Sequence, residues 1–94
     1  MKYPFSEELV SENVYRRTFA EGVDDDELIW HRDHEQRVIT VVESNGWKFQ
    51  SENELPVVMC SSDVIYIRAE SWHRVIKGTG KLIVEVEKRS KDEN

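Results

Sequence analysis

Short runs of β-branched and aromatic residues alternate with turn residues along most of the chain. The clearest run is Arg37 to Glu43, in which alternate residues from Val38 to Val42 would lie on one face of an extended strand. The Asn45-Gly46 pair that follows favours a tight hairpin turn. The same reasoning predicts further strands over Val14 to Phe19, Glu27 to Arg32, Trp47 to Gln50, Leu55 to Cys60, Val64 to Ile67, Trp72 to Lys77 and Lys81 to Lys88.

About eight short strands at this spacing, with no long amphipathic helix, predict an all-β fold, an antiparallel barrel or sandwich. One helical turn is expected over Glu7 to Ser11, after Pro4. The length of 94 residues predicts a single domain over residues 1–94. Within it, residues 1–12 are expected to form an N-terminal arm and residues 88–94 a frayed, charged tail.

Net charge and cysteine content narrow the function classes. A formal charge of −6 argues against a nucleic-acid surface, which needs a basic patch to neutralise phosphates. The single cysteine, Cys60, excludes an internal disulfide and is expected in the core. No run is apolar enough to span a membrane, and the acidic start of the chain lacks the features of a signal peptide. These features predict a cytoplasmic protein.

Two histidines and an aspartate form the best candidate site. His31 and Asp33 are two residues apart at the end of a predicted strand, so their side chains would project from the same face. His73 begins a later predicted strand that a barrel could bring opposite them. Two histidines and one carboxylate suffice to hold a divalent metal with open coordination positions. His34 would face the other way and is left out.

The tryptophans beside these histidines are expected on the outer surface. Trp30 and Trp72 each precede a candidate ligand, and neighbouring residues of a strand alternate between faces. Outer-face packing or a dimer interface is therefore the expected role of both. Trp47 could face either way.

The stretch from Trp30 to Gly78 resembles the cupin superfamily, which has two short motifs. The first contains two histidines two residues apart, then a glutamate, then a strand closed by a glycine. Counting back from Val41-Val42-Glu43-Ser44 places Arg37 at the glutamate position, Asp33 at the second histidine and His31 at the first. The second motif ends in a histidine, here His73, and its glycines and proline are replaced.

This resemblance implies a cupin jelly roll, a double-stranded β-helix. It also implies a divalent metal (iron, manganese, zinc or nickel) on His31, Asp33 and His73, with no organic cofactor. Arg37 and Tyr66 would then orient an anionic group of a small polar or anionic metabolite. A metal-dependent enzyme, such as a dioxygenase, is one reading of such a site.

Arg37 leaves a second reading open, because an arginine cannot ligate a metal and its charge repels one unless it is turned away. Asp33 and Arg37 would then pair, and the chain would be a metal-free ligand-binding or dimerising barrel without catalysis. Whether the chain is an enzyme stays open on the sequence alone, and no catalytic residue is assigned. A homodimer is expected in either case, since a small barrel has edge strands to protect.

Overall fold

A computed structural model describes residues 3–89. This part of the chain is antiparallel β-structure with a single 3₁₀ turn at Asp25–Glu27. The strands are β1 (Ser6–Ser11), β2 (Val14–Phe19), β3 (Gln36–Glu43), β4 (Lys48–Ser51), β5 (Val57–Val58), β6 (Val64–Ile67), β7 (His73–Ile76) and β8 (Leu82–Arg89). They form a five-stranded sheet in the order β1-β2-β8-β3-β6 and a three-stranded sheet in the order β5-β4-β7. The predicted all-β, antiparallel fold is confirmed.

The core lies between the two sheets and follows from alternation along the central strand. Leu82, Val84 and Val86 on β8 are buried, and the residues between them are more exposed. The three-stranded sheet contributes Phe49 from β4. Burial of a side chain of this size stabilises the fold by about 1.5–3 kcal/mol.

Trp47, the residue just before β4, is fully buried, and its backbone packs closely against Gly78. Its indole Nε1 donates a hydrogen bond to the carbonyl of Gly80 at 3.2 Å. A Cβ atom at Gly78 would lie 2.3 Å from the backbone nitrogen of Trp47, which is too close for any side chain. Gly78 therefore lets the β7–β8 connection pass directly over the Asn45-Gly46 turn.

The segment expected to form a helical turn is instead strand β1, paired with β2. The register sets Glu7 opposite Arg17 and Glu8 opposite Arg16. The Arg17 Nε atom lies 2.5 Å from Glu7 Oε2. Cross-strand pairs of opposite charge stabilise a sheet, so an acidic segment with weak strand propensity still adds to its edge.

Two predicted strands are shorter than expected. The segment from Glu27 to Arg32 begins in the 3₁₀ turn, where Leu28 N donates to Asp25 O, and it pairs with the sheet only through a bridge at His31. Leu55 to Cys60 contributes only β5, because Pro56 lacks the N–H group that a sheet ladder needs.

Cys60 is exposed, so the expectation of a core cysteine was wrong. Its backbone N–H donates to Asp63 Oδ2 at 2.8 Å, which holds the residue in a surface turn. Cys60 is therefore exposed because the turn closed by Asp63 fixes its backbone at the surface.

The expected charged tail overlaps the last strand. Lys88 and Arg89 belong to β8, and residues 90–94 lie outside the described residues. Within residues 3–89, no helix is long and apolar enough to cross a membrane.

Candidate metal centre

A single backbone bridge brings the two predicted histidine ligands together. His31 N donates to His73 O at 3.0 Å, and His73 N donates to His31 O at 2.9 Å. His73 is the first residue of β7, and the bridge pairs it with His31, which lies outside any strand. The irregular segment around His31 is therefore joined to β7 at this one residue. The two imidazole rings meet edge to face, with centroids 4.3 Å apart.

The outer face of the bridge is clamped by two tryptophan–arginine pairs. In an antiparallel bridge the residues on either side face each other, so Trp30 lies opposite Arg74 and Arg32 opposite Trp72. The Arg74 guanidinium lies 4.9 Å from a Trp30 ring centroid, and that of Arg32 lies 5.2 Å from Trp72. Both tryptophans point away from the histidines, as the alternation predicts.

Asp33 completes the group from the same side. The Glu70 backbone N–H donates to the Asp33 carbonyl at 2.7 Å, which fixes the chain just after the bridge. Asp33 Oδ2 lies 3.3 Å from His73 Nε2. One ligand atom from each of His31, Asp33 and His73 lies within 4.8 Å of the others. Among residues 3–89, these three form the cluster of histidine and carboxylate side chains that could hold a metal ion.

Hydrogen bonds to the backbone fix which imidazole nitrogen is available. His31 Nδ1 lies 3.0 Å from the carbonyl of Ile29, and His73 Nδ1 lies 2.9 Å from the carbonyl of Ser71. A carbonyl can only accept, so each Nδ1 carries the proton and donates. This leaves Nε2 of each ring as the nitrogen that can ligate, the arrangement by which proteins orient histidines toward a metal.

The Asp33 carboxylate has an oxygen that its neighbours leave unsatisfied. Oδ2 is buried and receives no hydrogen bond, although His73 Nε2 lies only 3.3 Å away. Burial raises the pKa of Asp33, but contact with His73 and the charge of Arg37 outweigh it, so the pKa lies below its ordinary value. A buried carboxylate oxygen without a hydrogen bond is stabilised by a nearby cation.

Arg37, at the glutamate position of the cupin motif, is turned toward two carboxylates. One terminal nitrogen lies 3.3 Å from Asp33 Oδ1 and 2.8 Å from Glu35 Oε1, and Nε lies 3.1 Å from the same Glu35 oxygen. The pair predicted between Asp33 and Arg37 is therefore present. It uses Oδ1 and leaves Oδ2 facing the histidines.

Tyr66, which was predicted as a site residue, and His34, which was left out, both lie away from His31, Asp33 and His73. Tyr66 on β6 is 75% exposed and is absent from the cavity wall, whereas its neighbours Ile65 and Ile67 line it. The structure does not bring Tyr66 to the other site residues. The side chain of His34 is 92% exposed and lies 2.9 Å from Glu70 Oε2, in agreement with its exclusion.

The three ligand candidates open into a cavity of about 560 Å³ between the sheets. Arg37 also lines this cavity. Most of the remaining wall is aliphatic or aromatic, and includes Ile39, Phe49, Met59, Ile65, Val84 and Val86. A largely apolar cavity with a few convergent polar groups is typical of a small-molecule site.

These residues fit a divalent metal. Two ligands bonded to one ion at about 2.1 Å lie about 3.0–3.4 Å apart, and His73 Nε2 and Asp33 Oδ2 are already separated by 3.3 Å. Two imidazoles and one carboxylate are the donor set of the facial triad, and a metal held by them would have coordination positions left for other ligands. Iron, manganese, zinc and nickel all accept these donors.

No protein-family model matches the chain, and no curated protein matches it. Solved structures do resemble it. The DMSP lyase DddQ from Ruegeria pomeroyi DSS-3 superposes with a TM-score of 0.72 at 14% identity, over 86% of this chain and 39% of that one. The chain thus spans about two fifths of the length of that lyase.

Two further neighbours differ in size from each other. A cupin domain from Bordetella pertussis matches over 96% of this chain and 99% of its own, with a TM-score of 0.61 and 17% identity. The Fe(II) form of HppE matches over 81% of this chain and 41% of its own, with a TM-score of 0.64 and 12% identity. With eight antiparallel strands in two sheets and these neighbours, the chain has the cupin fold, a double-stranded β-helix.

Proposed function

We propose that the chain is a metal-binding cupin barrel, in which His31, Asp33 and His73 hold a divalent metal and the cavity admits a small organic ligand beside it. The observation that carries the proposal is the buried Asp33 Oδ2 atom without a hydrogen bond, grouped with two histidines whose Nδ1 atoms are held by backbone carbonyls so that Nε2 is the nitrogen left to ligate. That arrangement costs free energy without a cation and is satisfied by one.

The chain's own residues would prepare the site in three ways. The carbonyls of Ile29 and Ser71 hold the imidazoles in the ligating tautomer. Arg37 holds Asp33 Oδ1 and so orients the other oxygen inward. A metal bound there would supply Lewis-acid chemistry, or oxygen-activating chemistry if it is iron, and the Fe(II) form of HppE is a structural neighbour.

A metal-free binding barrel is the second candidate. The contact between Arg37 and Asp33 favours it, because the guanidinium already supplies a positive charge to this carboxylate. In that case the histidines and Asp33 serve structure and ligand recognition, and no catalysis occurs.

Elemental analysis separates the two candidates. Untagged protein purified without chelator is compared with the His31→Ala/His73→Ala double variant and with His34→Ala, which removes an exposed imidazole outside the centre. We expect near-stoichiometric iron, manganese, zinc or nickel in the wild type and in His34→Ala, and none in the double variant. If the wild type carries no metal and added metal leaves its melting temperature unchanged, the metal proposal is wrong.

The edges of the five-stranded sheet support a homodimer. Leu9 on edge strand β1 is 64% exposed, and Val64 and Tyr66 on edge strand β6 are 47% and 75% exposed. Exposed apolar edges are commonly covered by a second copy. Light scattering should give twice the chain mass, and Tyr66→Lys should give the monomer mass if β6 forms the interface. A cytoplasmic location stays a prediction.

A further inference from the structure

Lys88 is the last inward-facing residue of β8. Leu82, Val84 and Val86 form the buried row of this strand, and the alternation continues to Lys88, which lines the same cavity. Its side chain is half-buried rather than extended into solvent. An amino group thus stands at the end of an apolar wall.

The cations of the cavity wall differ in how they are neutralised. Arg17 is paired with Glu7, and Arg37 with Asp33. Lys88 Nζ lies 4.5 Å from the Tyr15 ring centroid, and within residues 3–89 no carboxylate lies within ion-pair distance of it. Its charge is met only by the face of an aromatic ring, which offsets part of the cost of burial.

The strand register places this amino group beside a second cation. Lys88 is the cross-strand partner of Arg37, so both side chains project from the same face of the sheet. Like charges directly opposite each other destabilise a sheet. An anion bound between them would remove that repulsion and pair with Lys88.

The rest of the cavity selects the body of the ligand. Ile39 and Ile65 lie on the neighbouring strands of the same sheet, and Phe49 lies on the opposing sheet. One further carboxylate, Glu27 on the 3₁₀ turn, also lines the cavity and forms no ion pair with Lys88. A wall of this kind favours an aliphatic or aromatic body over a sugar or a nucleotide.

We propose that the cavity binds an organic acid with an aliphatic or aromatic body, whose carboxylate pairs with Lys88 beside Arg37. The inference rests on the proposed function in placing the ligand in the same cavity as the metal. The contact with Lys88 itself needs no metal. It narrows the small polar or anionic metabolite expected from the sequence to an amphipathic anion.

Calorimetric titration of chelator-treated protein with octanoate tests the assignment, with octanol and octylamine as probes of the same length. Lys88→Met removes the charge, and Lys88→Arg keeps it. Lys81→Met is the matched control, because Lys81 is exposed and absent from the cavity wall. Circular dichroism confirms that each variant is folded.

We expect octanoate to bind at least about tenfold more tightly than octanol or octylamine, and Lys88→Met to lose about tenfold in affinity. Lys88→Arg should stay within about threefold of the wild type, and Lys81→Met should be unchanged. Equal affinity for octanoate and octanol, an unaffected Lys88→Met variant or no octanoate binding at all would each overturn the proposal.

Two cross-tests separate this inference from the metal site. His31→Ala/His73→Ala should still bind octanoate, and Lys88→Met should still carry metal. Loss of metal with retained octanoate binding leaves the Lys88 site standing. Metal retained with no effect of Lys88→Met leaves the metal centre standing without it.

Discussion

On the inner face of the His31–His73 bridge, the two imidazoles lie close to the Asp33 carboxylate, whereas on its outer face two tryptophans lie against two arginines. The backbone is the same, and only the alternation of side chains separates the two faces. The outer pairs hold an irregular segment against β7 at the place where β-pairing is limited to one residue. The backbone of the inner face is thus held in place by contacts on the outer face, so Asp33 Oδ2 can lack a hydrogen bond without the segment losing its position.

The largest effect is expected on the inner face. Asp33→Asn keeps the shape of the side chain but removes the anionic ligand, so the affinity for a divalent metal should fall at least about 100-fold. Titration of the metal-free protein with Zn²⁺ measures this. His34→Ala should match the wild type, and an Asp33→Asn variant that binds zinc normally would show that Asp33 is not a ligand.

Arg37 distinguishes a metal centre from a purely structural ion pair, because only a metal centre predicts that removing Arg37 changes a measurable zinc affinity. For a metal centre, Arg37→Met removes a repelling charge and also loosens the orientation of Asp33; we expect the charge effect to be the larger, so zinc affinity should rise several-fold while the metal-free stability falls by about 1–3 kcal/mol. Chemical unfolding and zinc titration provide the two numbers.

The double variant Asp33→Asn/Arg37→Met sharpens that test. If the pair serves structure alone, the two single changes should destabilise by similar amounts and the double change by less than their sum. Zinc affinity would then be negligible in all four proteins. That pattern would contradict the metal centre and support the metal-free barrel.

A smaller effect is expected on the outer face. A double-mutant cycle between Trp30→Ala and Arg74→Met should give a coupling free energy of about 0.5–1 kcal/mol, as found for exposed cation–π pairs. Zinc affinity should fall only about two- to fivefold, because the ligands remain. Additive changes would mean that this pair does not clamp the bridge, and loss of zinc comparable to that of Asp33→Asn would mean that the outer face does more than position.

The smallest effect concerns pH in the metal-free protein. The pKa of Asp33 is lowered from its ordinary value of 3.8 on folding, since contact with His73 and the charge of Arg37 outweigh the effect of burial. A lowered pKa stabilises the fold above the unfolded value, and this contribution is lost as the pH falls through the folded value. The stability difference between wild type and Asp33→Asn should therefore shrink as the pH falls below about 4. A difference that grows in acid would contradict the assignment.

The sequence predicted the regular part of the fold well. Val14–Phe19 and Val64–Ile67 are strands at the predicted bounds, because alternation and β-branched residues agree there. Strand β1 was missed because its stability comes from the arginines of β2, which no local pattern reveals. The strand over Glu27 to Arg32 was overpredicted because a 3₁₀ turn occupies its first residues.

The site divides in the same way. His31, Asp33 and His73 were predicted from a two-residue spacing and a motif, and the structure brings them together. Tyr66 was placed by a strand assignment without its face, and it points outward. Lys88 was predicted both as the end of the last strand and as the start of the charged tail, although the alternation from Leu82 through Val86 already indicated an inward-facing position. Its role depends on the Arg37 register, which only the sheet shows.

The most direct test is a crystal structure of the zinc-loaded protein with data collected on both sides of the zinc absorption edge. For a metal centre on these residues we expect one anomalous peak at about 2.0–2.2 Å from Nε2 of His31, Nε2 of His73 and Oδ2 of Asp33, with Arg37 still on Oδ1. A peak elsewhere would contradict the metal centre. So would the absence of a peak, with Asp33 Oδ2 accepting a hydrogen bond from His73 Nε2 instead.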